Sequence, residues 1–346
     1  MKTPDEKPVL VAGASGFVGS HTARALVSAG RKVRVLLRKT SSVEAVQDLP
    51  VEIYYGDVLD PESLRVAMQG CSSVFYSVVD ARFWLSDPTP LYQNNVDGLV
   101  NAMDAALACG IQHFIFTSTM GTLGFNANGA VTEEIEFNWR DKASAYILAR
   151  LQAEERFMDY CEHKGLPGVA LCVANTYGPQ DYQPTPHGGA LWQAGSGKAT
   201  RAMDTSAPMV DIRDVAAAAI SAETNGHIGE RYIIANEYIS NRDLYGLATT
   251  WGEHEALRFI PHGVAVAVTS VAEVFIKLFA IKDSMLSKDA VFLSAAFKEM
   301  DNSKARRDLH WNPRPVAETV NDAMDWYALR AVCATPERGG GKHADI

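Results

Sequence analysis

No two cysteines of this chain are close enough in sequence to share a C-x-x-C spacing. Cys71, Cys109, Cys161, Cys172 and Cys333 are scattered, and no histidine cluster accompanies them. That argues against a zinc site and a disulfide framework, and predicts free thiols in a reducing compartment. Basic runs are missing as well. With 32 Lys and Arg against 41 Asp and Glu, the net charge is −9, which counts against nucleic acid or an anionic membrane as partner. Nor is there a long apolar run free of charge. The most apolar later segment, Val264 to Ile281, carries Glu273 and Lys277 near its middle, four apart in the favoured order. It predicts an amphipathic helix rather than a membrane span. The first strand is predicted almost at once, with no cleavable apolar signal before it, so a cytoplasmic protein is expected. Internal repeats are lacking, and the segment from Thr335 to Ile346, with its three consecutive glycines, reads as disordered.

What the chain does have is organised around Pro8 to Ser20. An apolar run of strand length, Val9-Leu10-Val11-Ala12, meets Gly13, Gly16 and Gly19, and a helical pattern follows from about His21 to Ala29. Strand, glycine turn and helix start form the geometry that binds a dinucleotide pyrophosphate. Gly13 lets the chain turn, Gly16 admits the phosphates to the backbone, and Gly19 lets the helix lie close on the sheet. Unpaired N–H groups around Ser15, Phe17 and Val18 would face the anion, helped by the helix dipole. The loop that merely needs positive φ is the alternative, and the flanking strand and helix argue against it.

Further strands are predicted at Lys32 to Arg38, Val51 to Tyr55, Ser73 to Val79 and Gln112 to Thr119. A long helix is expected from about Pro88 to Cys109. Strands and helices alternate at short spacing, which predicts an α/β fold with a doubly wound parallel sheet. Residues 1–174 would form the dinucleotide-binding core. Residues 175–334 would form mainly a smaller substrate lobe, with segments returning to the core. An NAD-preferring fold places an acidic side chain at the end of the second strand. Leu37 stands there instead, followed by Arg38 and Lys39. A guanidinium can pair with a 2′-phosphate, so NADP is favoured over NAD, the alternative being a solvated basic strand end. Asp60 before Pro61 fits a helix cap.

Several motifs then follow in order: Asn94-Asn95-Val96-Asp97-Gly98, Thr117-Ser118-Thr119, and Tyr146 with Arg150 four residues later. Asn175-Thr176-Tyr177-Gly178-Pro179, Val210 to Val215, and Asp301 through Pro313 complete the set. From Val9 to about Tyr327 the chain resembles the extended short-chain dehydrogenases/reductases, the NAD(P)-dependent epimerase/dehydratase group. Asp80 to Trp84 and Gly178 to Pro186 resemble its dihydroflavonol-reductase-like branch, which includes proteins named as hopanoid-associated sugar epimerases. The resemblance implies that Thr119, Tyr146 and Arg150 are catalytic. It also places Asp57, Val58, Ser77, Val78, Asn95 and Thr117 around the cofactor; dimerisation through the helices carrying Asn95 and Tyr146 is common in the resembling family, and the sequence leaves the oligomeric state open.

One position departs from the family pattern: Arg150 stands where the family has Lys. At helical spacing it shares a face with Tyr146. A cation about 4 Å from the phenol, at an effective dielectric of ~20, is worth at most about 4 kcal/mol, or about three pKa units. Arg150 is therefore expected to lower the Tyr146 pKa and to orient the nicotinamide ribose, with Thr119 holding the reacting oxygen. Phe83, Trp84, Asn175, Tyr177, Tyr182 and Trp192 are candidates around a small-molecule substrate. Three functions stay open. One is hydride transfer between NADP(H) and a carbonyl or alcohol of a fairly apolar substrate. A second is epimerisation or dehydration of a nucleotide sugar, with Lys198 and Arg201 as its diphosphate cations. The third is NADP binding with little catalysis, because Arg150 replaces Lys.

Overall fold

A computed structural model of the protein describes residues 7–249, 257–268 and 297–334. The expected tail beyond Ala334 lies outside these residues, as does the apolar segment from 269 onward. Seven parallel strands form the central sheet: β1 (Val9–Ala12), β2 (Val33–Leu37), β3 (Glu52–Tyr55), β4 (Ser73–Tyr76), β5 (His113–Thr119), β6 (Gly168–Val173) and β10 (Arg231–Ile234), in the order β10-β6-β5-β4-β1-β2-β3. The helices are α1 (Phe17–Ser28), α2 (Pro61–Met68), α3 (Thr89–Tyr92), α4 (Gly98–Cys109), α5 (Ala145–Lys164), α6 (Pro186–Gly195), α7 (Ile212–Asn225) and α8 (Asn241–Ala248).

Period-two alternation assigns the strand side chains to two faces. Val9 and Val11, with Phe75 and Ile115, pack under Leu26 of α1 and Val215 and Ala219 of α7. Leu10 and Ala12, with Tyr76, Phe114 and Phe116, pack under Leu64 of α2, Leu99 and Met103 of α4, and Phe157 of α5. Both faces being covered, β1 is apolar throughout and wholly buried, as a central parallel strand must be. Phe157 is 0% exposed, and truncating it to Ala would cost about 3–5 kcal/mol.

The chain returns to this sheet late. β10 extends it beside β6, and α7 lies against α1. The two C-terminal motifs meet there: Trp311 donates its indole N–H to the Asp214 carbonyl (2.9 Å), and Arg314 pairs with the Asp214 carboxylate. A second core holds Tyr177, Leu191, Met209, Leu244 and Tyr245 with Val320 and Met324 of the helix Val316–Ala334. Around it run β7 (Asn175–Tyr177), β9 (Ser206–Asp211) and β11 (Glu237–Ser240), and the separate pair β8 (Arg201–Asp204) and β12 (Arg258–Pro261).

Two boundaries differ from expectation in ways that matter for the site. α1 starts at Phe17, four residues before His21, so the glycine loop feeds the helix directly. The long helix is not uniform: Gln93–Asp97 is a π-helical turn between α3 and α4. Such turns place one extra residue in the helix and gather at functional sites.

Candidate active site

The sheet order reverses between β1 and β4, whose outgoing connections leave in opposite directions; a crevice opens there beyond the carboxyl ends of the strands. A cleft of about 540 Å³ occupies it, lined by Gly13, Ser15, Gly16, Arg38, Asp57, Val58, Ser77 and Val78 among others. Gly13 has φ +89°, and a Cβ there would lie 2.8 Å from the Ser77 carbonyl carbon and oxygen. A Cβ at Gly19 would stand 2.3 Å from the Gly13 carbonyl oxygen, so Gly19 serves the close packing of α1 onto the loop itself, rather than onto the sheet as expected. Gly16 differs. A Cβ there meets nothing nearer than 3.4 Å, so its openness serves whatever approaches from the cleft. It is the N-cap of α1, with no side-chain cap bond and no acidic residue in the first turn, which leaves N–H groups free for an anion. Phe17 and Val18, expected there too, do not line the cleft.

Leu37 ends β2 buried, and Arg38 beyond it is exposed, with no side-chain hydrogen bond or ion pair among the described residues. Asp57 spends one carboxylate oxygen on the Leu59 N–H (2.9 Å). Asp60 caps α2, as expected. Asn95 departs from its expected role. It is 0% exposed in the π-turn, accepting from the Asp80 N–H and donating to the Asp80 carbonyl, each at 3.0 Å. It therefore pins the loop after β4 and does not face the cofactor cleft; Asn94 does.

A second cavity of about 420 Å³ adjoins the first at Ala81, which borders both. Thr119 at the end of β5 and Tyr146 in the first turn of α5 both line it. Ser144 caps that turn, receiving the Ile147 N–H. The Thr119 hydroxyl accepts from the Gly121 N–H (3.2 Å), which leaves its own proton to donate. Burial pushes the Tyr146 phenol above its ordinary pKa; Arg150 opposes that and Asp80 adds to it. The Arg150 effect has the expected sign, but desolvation outweighs it, so the phenol is not brought toward neutrality.

Arg150 is 2% exposed. One Nη donates to the Thr117 carbonyl (2.6 Å), and the guanidinium carbon lies 5.1 Å from the Phe116 ring centre. Its Nε and Nη1 are buried with no partner. Two orphaned donors one helical turn beyond Tyr146 fit a cofactor that brings hydroxyl acceptors. Thr117 itself lines neither cavity; its hydroxyl meets that of Ser77 at 2.9 Å. Ser118 turns away, donating to Glu154, which also takes Thr122 (2.8 Å) and Arg231 (2.9 Å).

Phe83, Asn175 and Tyr177 line the second cavity. Trp84 sits edge-on to Phe83 instead, ring centres 5.0 Å apart. Tyr182 is corrected: its ring packs on Trp326 at 5.5 Å, beside the Arg330 guanidinium, away from the cavity. Trp192 packs on Tyr327, and Lys198 lies over its ring at 5.5 Å. Arg201, at the start of β8, pairs in register with Arg258 and borders neither cavity. Sequence reasoning missed His187, Met203, Thr205, Asn241 and Tyr245, which also line the second cavity. They come from three separate segments, and only Thr185-Pro186, a cap and first-turn signal, marks the element that carries His187.

Among the described residues no helix is long and apolar enough to cross a membrane. A model of the NAD dependent epimerase/dehydratase family matches residues 9–235. Sterol demethylase protein B of Methylococcus capsulatus is 27% identical over 328 residues, spanning 93% of this chain and 99% of its own. Dihydroflavonol 4-reductase of Hordeum vulgare is 28% identical over 191 residues, spanning 50% and 54%. The solved structure of gox2253 superposes with a TM-score of 0.84 at 28% identity, covering 94% of this chain and 99% of that one.

Proposed function

Because this chain belongs to the NAD dependent epimerase/dehydratase family, we propose that it is an NADP(H)-dependent reductase of a carbonyl group on a small, fairly apolar substrate. One observation carries the choice of substrate: among the described residues, no Lys, Arg, Asp or Glu lines the cavity that holds Thr119 and Tyr146. A nucleoside diphosphate sugar needs cations for its phosphates. Lys198 is stacked on Trp192, and Arg201 lies outside the cavity. The relatives named sterol demethylase protein B and dihydroflavonol 4-reductase are in keeping with a lipophilic ring substrate.

When bound, the nicotinamide supplies the hydride in reduction and accepts it in oxidation. The chain does the rest. The Thr119 hydroxyl donates to the substrate carbonyl oxygen and fixes its position. Tyr146 gives that oxygen its proton as general acid. A phenol whose pKa lies above the ordinary value stays protonated through neutral pH, which suits the reductive direction. The orphaned Nε and Nη1 of Arg150 would take the ribose hydroxyls, while its third nitrogen stays on Thr117. Arg38, free at the end of β2, would take the 2′-phosphate, and the uncapped start of α1 the pyrophosphate.

The test is NADPH oxidation against a panel of aryl and alicyclic ketones, with UDP-glucose and dTDP-glucose beside them. Turnover of ketones and none of the sugars is expected. Conversion of either sugar would overturn the reading. NADPH binding without turnover of any carbonyl would favour a cofactor-binding protein instead.

A further inference from the structure

The first cleft is walled almost entirely by the central sheet and its loops. Of its described lining residues, all but one fall between Gly13 and Asn94; the exception is Gln183, from the segment between β7 and α6. Gln183 is exposed, and its carboxamide makes no hydrogen bond among the described residues. Its neighbours, by contrast, are fastened. Asp181, 1% exposed, accepts from the Thr185 N–H (2.8 Å), the Thr185 hydroxyl (2.9 Å) and the Tyr327 hydroxyl (2.7 Å). The Tyr182 ring is held by Trp326 and by Arg330, whose guanidinium pairs with Glu44 (2.8 Å) in the connection between β2 and β3. Pro184 confines the residue before it to extended backbone. A free side chain on so firm a support loses little beyond its own rotamer freedom when it binds.

Two tethers locate this segment along the cleft. The Pro179 carbonyl accepts from His21 Nε2 (3.0 Å), one turn past the first residue of α1. Arg330 moors Tyr182 to Glu44, three residues beyond Ser41. The segment is thus tied to α1 and to the β2–β3 connection, and these supply Gly16, Arg38 and Ser41 to the cleft. Gly16, at the uncapped start of α1, and Arg38 are the groups that the reading above gives to the pyrophosphate and the 2′-phosphate. Phosphates present only acceptors to their surroundings. A carboxamide offers two N–H donors and no charge, so it adds a directed bond where Arg38 adds attraction.

We propose that Gln183 donates a hydrogen bond from its carboxamide to a phosphate oxygen of the bound dinucleotide, so that the second lobe takes part in holding the cofactor. The assignment rests on the first cleft being the NADP(H) site, and not on which carbonyl is reduced. It makes Gln183 a cofactor-binding residue far from the glycine loop in sequence.

The experiment is fluorescence titration of the full chain with NADPH and with NADH, at low and at high salt. Gln183→Leu removes the donors and should weaken NADPH binding about 10-fold or more, the size of one hydrogen bond to a charged acceptor. Gln183→Glu sets a carboxylate against phosphate and should bind more weakly still, the extra loss shrinking as salt is raised. Gln183→Lys restores a donor and should bind at least as tightly as the wild type. Because Gln183 is exposed and unpartnered, all three should melt within about 1 °C of the wild type without cofactor, which separates lost binding from lost folding. Equal losses for NADPH and NADH would place the bond on the pyrophosphate, and a loss for NADPH alone on the 2′-phosphate; either upholds the assignment. Wild-type affinity for both cofactors in Gln183→Leu and Gln183→Glu would overturn it alone. A loss in Gln183→Lys as large as in Gln183→Leu would do the same, because shape and not a donor would then be at issue. A wild type that binds neither cofactor would remove the cofactor reading together with the assignment.

Discussion

Replacing Arg150 with Met should make the cofactor-free protein more stable and shrink the stabilisation that cofactor adds. Arg150 is the largest fully buried side chain among the described residues, and no carboxylate hydrogen-bonds to it. Burying a cation costs several kcal/mol. Against that stand one hydrogen bond to the Thr117 carbonyl, worth about 1.5–3 kcal/mol, and the Phe116 contact, worth about 1 kcal/mol. Two further donors are desolvated and receive nothing. A methionine of similar length fills the space without that cost, leaving the variant about 1–3 kcal/mol more stable without cofactor. At about 2 °C or more per kcal/mol, the melting temperature should rise by several degrees. With NADP⁺ at a hundred times its Kd, the wild type gains about 2.7 kcal/mol by mass action. Lacking the guanidinium, the variant should gain much less at the same concentration. Differential scanning fluorimetry with and without NADP⁺ measures both quantities. If the variant melts below the wild type without cofactor and rises as far with it, Arg150 is a structural cation and the argument fails.

Arg38→Asp should weaken NADPH binding about 10- to 100-fold while leaving NADH nearly unchanged, since only the former carries a 2′-phosphate; equal losses in a fluorescence titration would refute the NADP assignment. Gly16→Ala should leave the melting temperature of the free protein within about 1 °C yet cut cofactor affinity, because its Cβ makes only an ordinary 3.4 Å contact with the Gly13 carbonyl oxygen while adding bulk to a residue that lines the cleft. Gly19→Ala should instead destabilise the protein itself, its Cβ falling 2.3 Å from backbone, and circular dichroism melts distinguish the two. Tyr146→Phe should lower kcat about 10²- to 10⁴-fold with cofactor affinity kept. The wild-type pH profile carries a sign: with the Tyr146 pKa raised, reduction should persist past the ordinary phenol pKa of about 10, and oxidation should climb toward the same alkaline range. A reduction rate already falling at pH 8 would point to a different acid.

How much of this was legible in the sequence follows the range of the interactions. The glycine loop, the alternating strands and the cap at Asp60 are local, and their residues predict them. Tyr146 and Thr119 are legible as a pair only through the family resemblance, and the fold brings both to one cavity. Asn95 shows where this stops. Its type and helix are readable, but its partner is the backbone of Asp80 fifteen residues earlier, brought near by a π-turn that no periodicity announces. Tyr182 and Trp192 are ambiguous in the same way: an aromatic near a site motif can line the cavity or brace the wall behind it, and both brace it against the helix Val316–Ala334. The second cavity draws on β5, α5, β7, α6, β8, β9, β11 and α8, so its membership depends on packing between segments far apart in the chain.

The π-turn at Gln93–Asp97 has a consequence for how this chain can vary. Deleting any one residue between Gln93 and Asp97 would restore an unbroken α-helix, with a more regular ladder of backbone bonds. Every side chain on the upstream portion would then swing by about 100° relative to α4. Asn95 would leave Asp80, Asn94 would leave the cleft, and the loop joining the two cavities at Ala81 would lose its anchor. The shortened helix would be locally sounder, yet the loop at Ala81 where the two cavities meet would be unmoored, so indels within this segment should be selected against even where single substitutions are accepted.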